Sequence, residues 1–90
     1  MAVFIVTYDL NKEANRPKIV PKIKDISGVW AKLSESSYAV ATDKSAGDVF
    51  NFLKPLLDDN DQLYVITLKK PYAGRGSKEV NDWLENNPTY

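Results

Sequence analysis

The sequence predicts an α+β fold in which a four-stranded antiparallel sheet and two helices follow the order βαββαβ, with a short helix at the C-terminus. Three observations predict it. Four short runs are rich in β-branched and aromatic residues, as strands are. Two longer segments carry apolar residues at helical spacing. Their order along the chain is that of ferredoxin-like domains. The predicted strands are residues 2–10, 29–33, 37–42 and 63–68.

The first strand, residues 2–10, reads AVFIVTYDL. Successive side chains of a strand point to opposite faces of the sheet. Both faces of this strand are largely apolar, which is typical of a strand that is covered on both sides. We therefore expect it to be central. Residues 63–68 are apolar on both faces in the same way, so the same argument predicts that this strand is also central.

The first helix is predicted within residues 12–27. Its apolar stripe consists of Ile19, Ile23 and Ile26. A proline inside a helix removes one backbone hydrogen bond and clashes with the preceding turn. The helix is therefore expected to start at Pro17, or to become regular only near Pro21. Gly28 is the predicted C-cap.

The second half of the fold begins with a hairpin whose turn is formed around Ser34-Glu35-Ser36. Ser45, followed three residues later by Asp48, predicts the N-cap of the second helix. That helix carries the apolar residues Val49, Phe50, Leu53, Leu56 and Leu57. Pro55 should bend or end it. Ser77 is the predicted cap of the last helix, which contains Val80, Trp83 and Leu84.

The predicted architecture is one domain over residues 1–85, followed by a frayed tail at 86–90. Both main helices should pack on one face of the sheet. The other face would then leave Val3, Ile5 and Val65 in water, which forfeits about 1.5–3 kcal/mol per side chain. We therefore predict a homodimer, joined through the sheet or through the C-terminal segment.

The composition excludes several kinds of chemistry. The 90 residues include no Cys and no His, so there is no disulfide, no thiolate or imidazole metal site, and no Ser–His or Cys–His nucleophile. Any metal must be a hard, oxygen-ligated ion such as Mg²⁺, Mn²⁺ or Ca²⁺. No apolar run approaches the ~20 residues of a membrane span, and no secretory signal is present. The expectation is a cytoplasmic protein without a membrane partner.

The charges balance to zero over the chain but are unevenly placed. Residues 12–32 carry a net charge of +4, and residues 69–79 carry +3. Such segments suit contact with phosphates, although a solvated helix face explains the first one as well. The candidate nucleic-acid-binding residues are Lys12, Arg16, Lys69, Lys70, Arg75 and Lys78.

Two other groups of residues favour structural roles. The acidic run 58–61 lacks the glycine and the distal glutamate of a calcium loop, so it is interpreted as a turn. Four aromatic residues would suit either an RNA-stacking platform or packing at a dimer interface, and the second interpretation is favoured. They are Trp30, Tyr38, Tyr64 and Tyr72.

Several short motifs, taken in order, resemble a known family. They are Tyr8-Asp9-Leu10-Asn11, the run from Trp30 to Tyr38 (WAKLSESSY), Asp59-Asn60-Asp61-Gln62-Leu63 and Trp83-Leu84. Together they resemble the small bacterial and phage proteins of the SinR family, which are similar to the dimeric CRISPR-associated adaptation subunit and, more distantly, to virulence-associated protein D toxins. The resemblance implies a ferredoxin-like fold, a homodimer, and divalent-metal-dependent phosphodiester cleavage.

The same resemblance makes Asp9 the candidate catalytic and metal-binding residue, because the related subunits place an acidic residue beside its symmetry mate at this strand end. Two such carboxylates would hold Mg²⁺ or Mn²⁺, which would supply hydroxide. Tyr8 and Asn11 are the flanking catalytic candidates, which would orient a phosphate or a water. The structural alternative is that Asp9 caps the following loop, Tyr8 packs in the core and Asn11 belongs to a turn.

Two functions remain open at this stage. The first is a nucleic-acid-binding homodimer with weak Mg²⁺- or Mn²⁺-dependent endonuclease activity. The second is a dimeric scaffold or toxin-like interaction protein that has no nuclease activity. The lack of histidine leaves no conventional general base, so hydrolysis would depend on metal-bound hydroxide.

Overall fold

A computed structural model describes residues 2–11 and 16–87 of the chain. The elements are β1 (Ala2–Asp9), α1 (Arg16–Lys24), β2 (Trp30–Ser34), β3 (Ser37–Thr42), α2 (Ala46–Leu53), a 3₁₀ turn (Lys54–Leu56), β4 (Gln62–Thr67) and α3 (Lys78–Asn86). The strands form one four-stranded sheet in the order β2-β3-β1-β4. Every neighbouring pair is antiparallel. The α+β class and the ferredoxin-like order are confirmed.

The prolines affect the two main helices differently. α1 begins at Arg16, with Pro17 in its first turn, and continues through Pro21. The alternative prediction, that the regular part starts only near Pro21, is therefore wrong. Pro55 does end its helix, because α2 stops at Leu53 and gives way to the 3₁₀ turn.

The two predicted N-caps are confirmed. The hydroxyl of Ser45 accepts a hydrogen bond from the backbone N–H of Asp48 at 3.1 Å. Ser77 accepts one from the N–H of Val80 at 3.2 Å. The predicted C-cap Gly28 lies four residues beyond Lys24, where α1 ends; its φ is +77°, a conformation that side chains with a Cβ rarely adopt.

The main core lies between one face of the sheet and the helices α1 and α2. Even-numbered residues of β1 supply the sheet side, and the isoleucine stripe of α1 and two apolar residues of α2 supply the helix side. This core contains Phe4, Val6, Tyr8, Ile19, Ile23, Ile26, Tyr38, Val40, Val49, Leu53 and Leu63. The helical periodicities read from the sequence therefore identify the residues that face the sheet.

The second face of the sheet is covered in part by the chain itself. Only 2% of Val3 is exposed, and Ile5 lies in a groove together with Val80 and Leu84 of α3. β1 is thus central and covered on both sides, as predicted. The expectation that Val3 needs a second molecule to leave water is wrong, because α3 and the segment before it lie over this face.

The predictions for the last strand need two corrections. β4 is an edge strand, not a central one, because β3 occupies the other central position. Val65 is not on the second face, since it pairs with Val6 across the sheet and packs against the main core. The apolar residues of β4 that do lie on the second face are Tyr64 and Ile66, which are 64% and 52% exposed.

The ends of the domain differ slightly from the prediction. α3 runs through Asn86, one residue beyond the predicted boundary, and the side-chain amide of Asn87 donates to the carbonyl of Trp83 at 2.8 Å. The rest of the predicted tail, residues 88–90, lies outside the described residues, as does the segment 12–15. Within residues 2–11 and 16–87, no helix has the length and apolar character needed to cross a bilayer.

Truncation of Leu53 to alanine should test the main core, because this side chain is fully buried at 0% exposure. Cavity formation should cost about 2–5 kcal/mol of unfolding free energy, measured by urea denaturation. Leu33→Ala is the matched control, since Leu33 is 39% exposed, and its cost should not exceed about 1 kcal/mol. Equal losses in the two variants would contradict this assignment of the core.

Candidate functional site

Asp9 is the last residue of β1 and lies opposite Gln62 of β4. Its side chain is exposed. Within residues 2–11 and 16–87, no hydrogen bond or ion pair involves its carboxylate. Strand alternation places Asp9 on the second face, the face that also carries Tyr64 and Ile66. A shallow hollow of about 130 Å³ is lined by Thr7, Tyr8, Asp9, Gln62 and Tyr64.

The two residues that flank Asp9 have structural contacts. The ring of Tyr8 is buried in the main core, and its hydroxyl donates to the backbone carbonyl of Glu35 at 2.9 Å. Asn11 is exposed, and its backbone N–H donates to Oδ1 of Asp61 at 2.7 Å. The hydroxyl of Tyr8 is therefore bonded to Glu35 and not to the carboxylate of Asp9, although Tyr8 and Asp9 line the same hollow.

Asp61 connects the end of β1 to the turn before β4. One carboxylate oxygen accepts from Asn11, and the other accepts from the backbone N–H of Asp58 at 2.8 Å. The backbone N–H of Asp61 also donates to the carbonyl of Asp58 at 3.0 Å. These bonds confirm that the acidic run 58–61 forms a turn, and they hold the chain in place directly after Asp9.

The basic residues after β4 are not equivalent. Lys70 donates from Nζ to the carbonyl of Glu85 at 2.8 Å and lies 3.5 Å from Oε1 of the same residue. Lys78 forms a 2.7 Å ion pair with Asp82 one turn along α3. Lys69 and Arg75 are exposed, and among the described residues neither has a hydrogen bond or an ion pair.

Two of the basic candidates, Lys12 and Arg16, lie at or before the start of α1 in the sequence. Lys12 lies outside the described residues. Arg16 is the first residue of α1. The sequence-based grouping of these two residues with the later basic segment therefore stays a prediction.

The four aromatic residues considered for stacking or dimer packing separate into two pairs. Tyr38 is in the main core, and its ring centroid lies 5.9 Å from that of Trp30, which packs against the same core. Tyr38 is buried within the chain, so the interpretation that it packs at a dimer interface is wrong. Trp30 is half-buried, and its role at such an interface stays a prediction. Tyr64 and Tyr72 remain exposed.

Tyr72 lies in the segment between β4 and α3 and is tied to that helix. Its hydroxyl donates to Oε2 of Glu85 at 3.3 Å. Partial burial, followed by the negative charge and the hydrogen bond of Glu85, raises the pKa of Tyr72. The phenol therefore stays protonated at neutral pH and keeps the hydrogen bond to Glu85.

The described residues do not form a metal site within a single chain. They contain no group of three acidic side chains close enough to hold an ion, and Asp9 offers one carboxylate. Mg²⁺ is usually bound through one or two carboxylates together with waters and substrate phosphates. Asp9 by itself would supply one carboxylate, and the matching residue of a second copy would supply another.

The sequence did not predict three contacts that shape this region. The bond between Asp61 and Asn11 joins residues that are far apart in the chain, and Glu85 binds both Lys70 and Tyr72. The Lys78–Asp82 pair, by contrast, could be predicted from the sequence, because residues four apart meet on one face of a helix.

Comparison with known proteins adds no family assignment, because no protein-family model matches the chain and no curated protein matches it either.

Removal of the Asp61 carboxylate should loosen the Asp9 end of the sheet. Asp61→Ala leaves two backbone N–H groups without their charged acceptor, which should cost about 1–2 kcal/mol of unfolding free energy. Hydrogen exchange at Asn11 and Asp58 should become faster. Asp59→Ala, in the same exposed turn, is the control and should change neither quantity. Unchanged exchange at Asn11 in Asp61→Ala would contradict the contact.

Proposed function

We propose that the protein is a homodimer that binds nucleic acid. The observation that carries this proposal is that Lys69 and Arg75, in the segment between β4 and α3, are exposed and have no ion pair with any residue that the structure describes. The neighbouring Lys70 and Lys78 are already neutralised by Glu85 and Asp82. Phosphate groups are the partners that such exposed cations favour.

The net charge of the chain is zero, so long-range attraction to a polyanion is weak. Binding must then depend on local cations acting together. A homodimer supplies two copies of Lys69 and Arg75, and a strand that contacts both copies would bind with an avidity that one copy lacks. Dimerisation and nucleic-acid binding are therefore linked in this proposal.

The second face beside β4 supports the dimer. Tyr64 and Ile66 form an exposed apolar pair, and burial of such side chains is favourable. β4 is also an unpaired edge in the described part of the chain. The N–H of Leu68 donates to the carbonyl of Val3, so the alternate residues 63, 65 and 67 direct their backbone groups away from β1.

A second candidate function is metal-dependent phosphodiester hydrolysis. It is favoured by the position of Asp9, whose carboxylate has no partner within residues 2–11 and 16–87 and shares the second face with Tyr64 and Ile66. A dimer joined through that face would bring two Asp9 side chains toward its axis. Asp9 from each copy would then hold Mg²⁺ or Mn²⁺, which supplies a hydroxide and charge stabilisation at the phosphate when bound.

Binding should be tested with labelled single-stranded RNA and duplex DNA by fluorescence anisotropy at several salt concentrations. The double variant Lys69→Ala/Arg75→Ala should bind at least tenfold more weakly. The slope of log K against log salt concentration should become shallower by about one unit for each phosphate contact that is lost. Lys54→Ala removes an exposed lysine on the helix side of the sheet and is the control. Equal affinities for the double variant and the control would overturn the proposal.

The dimer and the hydrolysis should be tested together. Ile66→Glu should convert the dimer to a monomer in analytical ultracentrifugation, because it places a charge in the apolar patch. Asp9→Asn should stay dimeric and lose any cleavage that requires Mg²⁺ or Mn²⁺. Cleavage that survives Asp9→Asn would exclude Asp9 as the metal residue. A dimer that neither binds nor cleaves nucleic acid would leave the scaffold or toxin-like alternative.

A further inference from the structure

A groove of about 570 Å³ lies between the second face of the sheet, α3 and the segment that precedes α3. Its apolar walls come from both sides of this space and consist of Ile5, Leu33, Leu68, Tyr72, Val80 and Leu84. The volume is in the range of small-molecule sites, which are mostly apolar with a few polar groups. The groove is therefore large enough for one organic group the size of a nucleotide.

The polar side chains at this groove are few, and two of them have groups without a partner in the part of the chain that the structure describes. Arg75 lines the groove and has no partner among the described residues. Asn81 donates from Nδ2 to the carbonyl of Gly76 at 3.2 Å, which leaves its Oδ1 without a donor in the described part of the chain. Lys32, by contrast, is paired with Glu35 at 2.9 Å. Considering only the described residues, Arg75 is a cation without a partner and Oδ1 of Asn81 is an acceptor without a donor, and both lie beside the apolar walls.

Tyr72 is the aromatic group of the groove and is held in a defined position. Its hydrogen bond to Glu85 fixes the ring relative to α3. The ring is still 37% exposed. An aromatic ring that is both anchored and accessible is suited to stacking against a base, since every base has a π-face.

We propose that this groove holds one unstacked nucleotide, with the base against Tyr72, an N–H of the base on Oδ1 of Asn81, and the phosphate on Arg75. This inference rests on the proposed nucleic-acid binding and names the kind of strand. An unpaired nucleotide of a single strand fits the groove, whereas a base inside a duplex is already stacked on its neighbours. A free nucleoside monophosphate has the same chemistry and is the second source to test.

The pattern of charge and polarity favours a nucleotide over an apolar peptide side chain. A purely apolar occupant would bury the free acceptor of Asn81 without a donor, which is unfavourable. It would also leave Arg75 without an anion. Tyr64 and Ile66, which form the proposed dimer surface, do not line the groove.

The test compares a labelled single strand, the duplex of the same length and sequence, and a free 5′-nucleoside monophosphate. Binding of the two oligonucleotides is measured by anisotropy, and binding of the free nucleotide by NMR shifts. Tyr72→Ala should weaken single-strand binding about tenfold and change duplex binding little. Tyr72→Phe retains the ring and should recover most of that loss. Lys54→Ala is the control for the removal of a side chain outside the groove.

The outcomes separate this inference from the proposed function. Preference for the single strand that depends on the ring of Tyr72 supports the nucleotide site. Equal binding of single strand and duplex, with no effect of Tyr72→Ala but a clear effect of Arg75→Ala, overturns the site and leaves nucleic-acid binding intact. Binding of the free nucleotide with no binding of any strand supports the groove and overturns the proposed function. No binding of any probe overturns both.

Discussion

The structure depends on the position of β1, which is hydrogen-bonded to strands on both edges and packed on both faces. Its even-numbered residues meet α1 and α2, while Val3 is buried on the opposite side. Because side chains alternate, a shift of one residue in its pairing would exchange these two faces and expose the core residues. The register with β3 and β4 is therefore strongly fixed. That register is also what leaves Asp9 exposed at the end of the strand.

Local sequence patterns predicted most of the secondary structure because their causes are local. A hydroxyl that caps a helix, as at Ser45, or a proline that ends one, as at Pro55, acts within a single turn. The position of β4 was different. Its apolar residues on both faces predicted a central strand, but strand composition does not identify which strands lie beside it, and β4 is at the edge of the sheet. The face occupied by Val65 likewise depends on its pairing with Val6, which no local pattern encodes.

The basic segment at residues 69–79 shows the same limit of sequence-based prediction, here for a candidate binding site. Composition counts Lys69, Lys70, Arg75 and Lys78 as equal charges, yet the fold brings Glu85 and Asp82 to two of them. The pair on α3 follows from helical spacing. The contacts of Glu85 depend on how the segment after β4 returns to α3, so they needed the structure. Two of the four cations that the sequence counts in this segment are therefore paired with acidic residues of α3.

The two faces of the sheet differ in how completely their groups are satisfied. On the helix side, α1 and α2 cover the apolar residues, and Tyr8 has an acceptor for its hydroxyl. On the second face, α3 lies beside β2 and leaves β4 uncovered. The exposed side chains of Asp9, Tyr64 and Ile66 lie on that face, and Arg75 lies at its groove. Apolar surface favours a partner, whereas free charges set which partner is accepted. Their concentration on one face is the physical reason to seek both the second copy and the nucleic acid there.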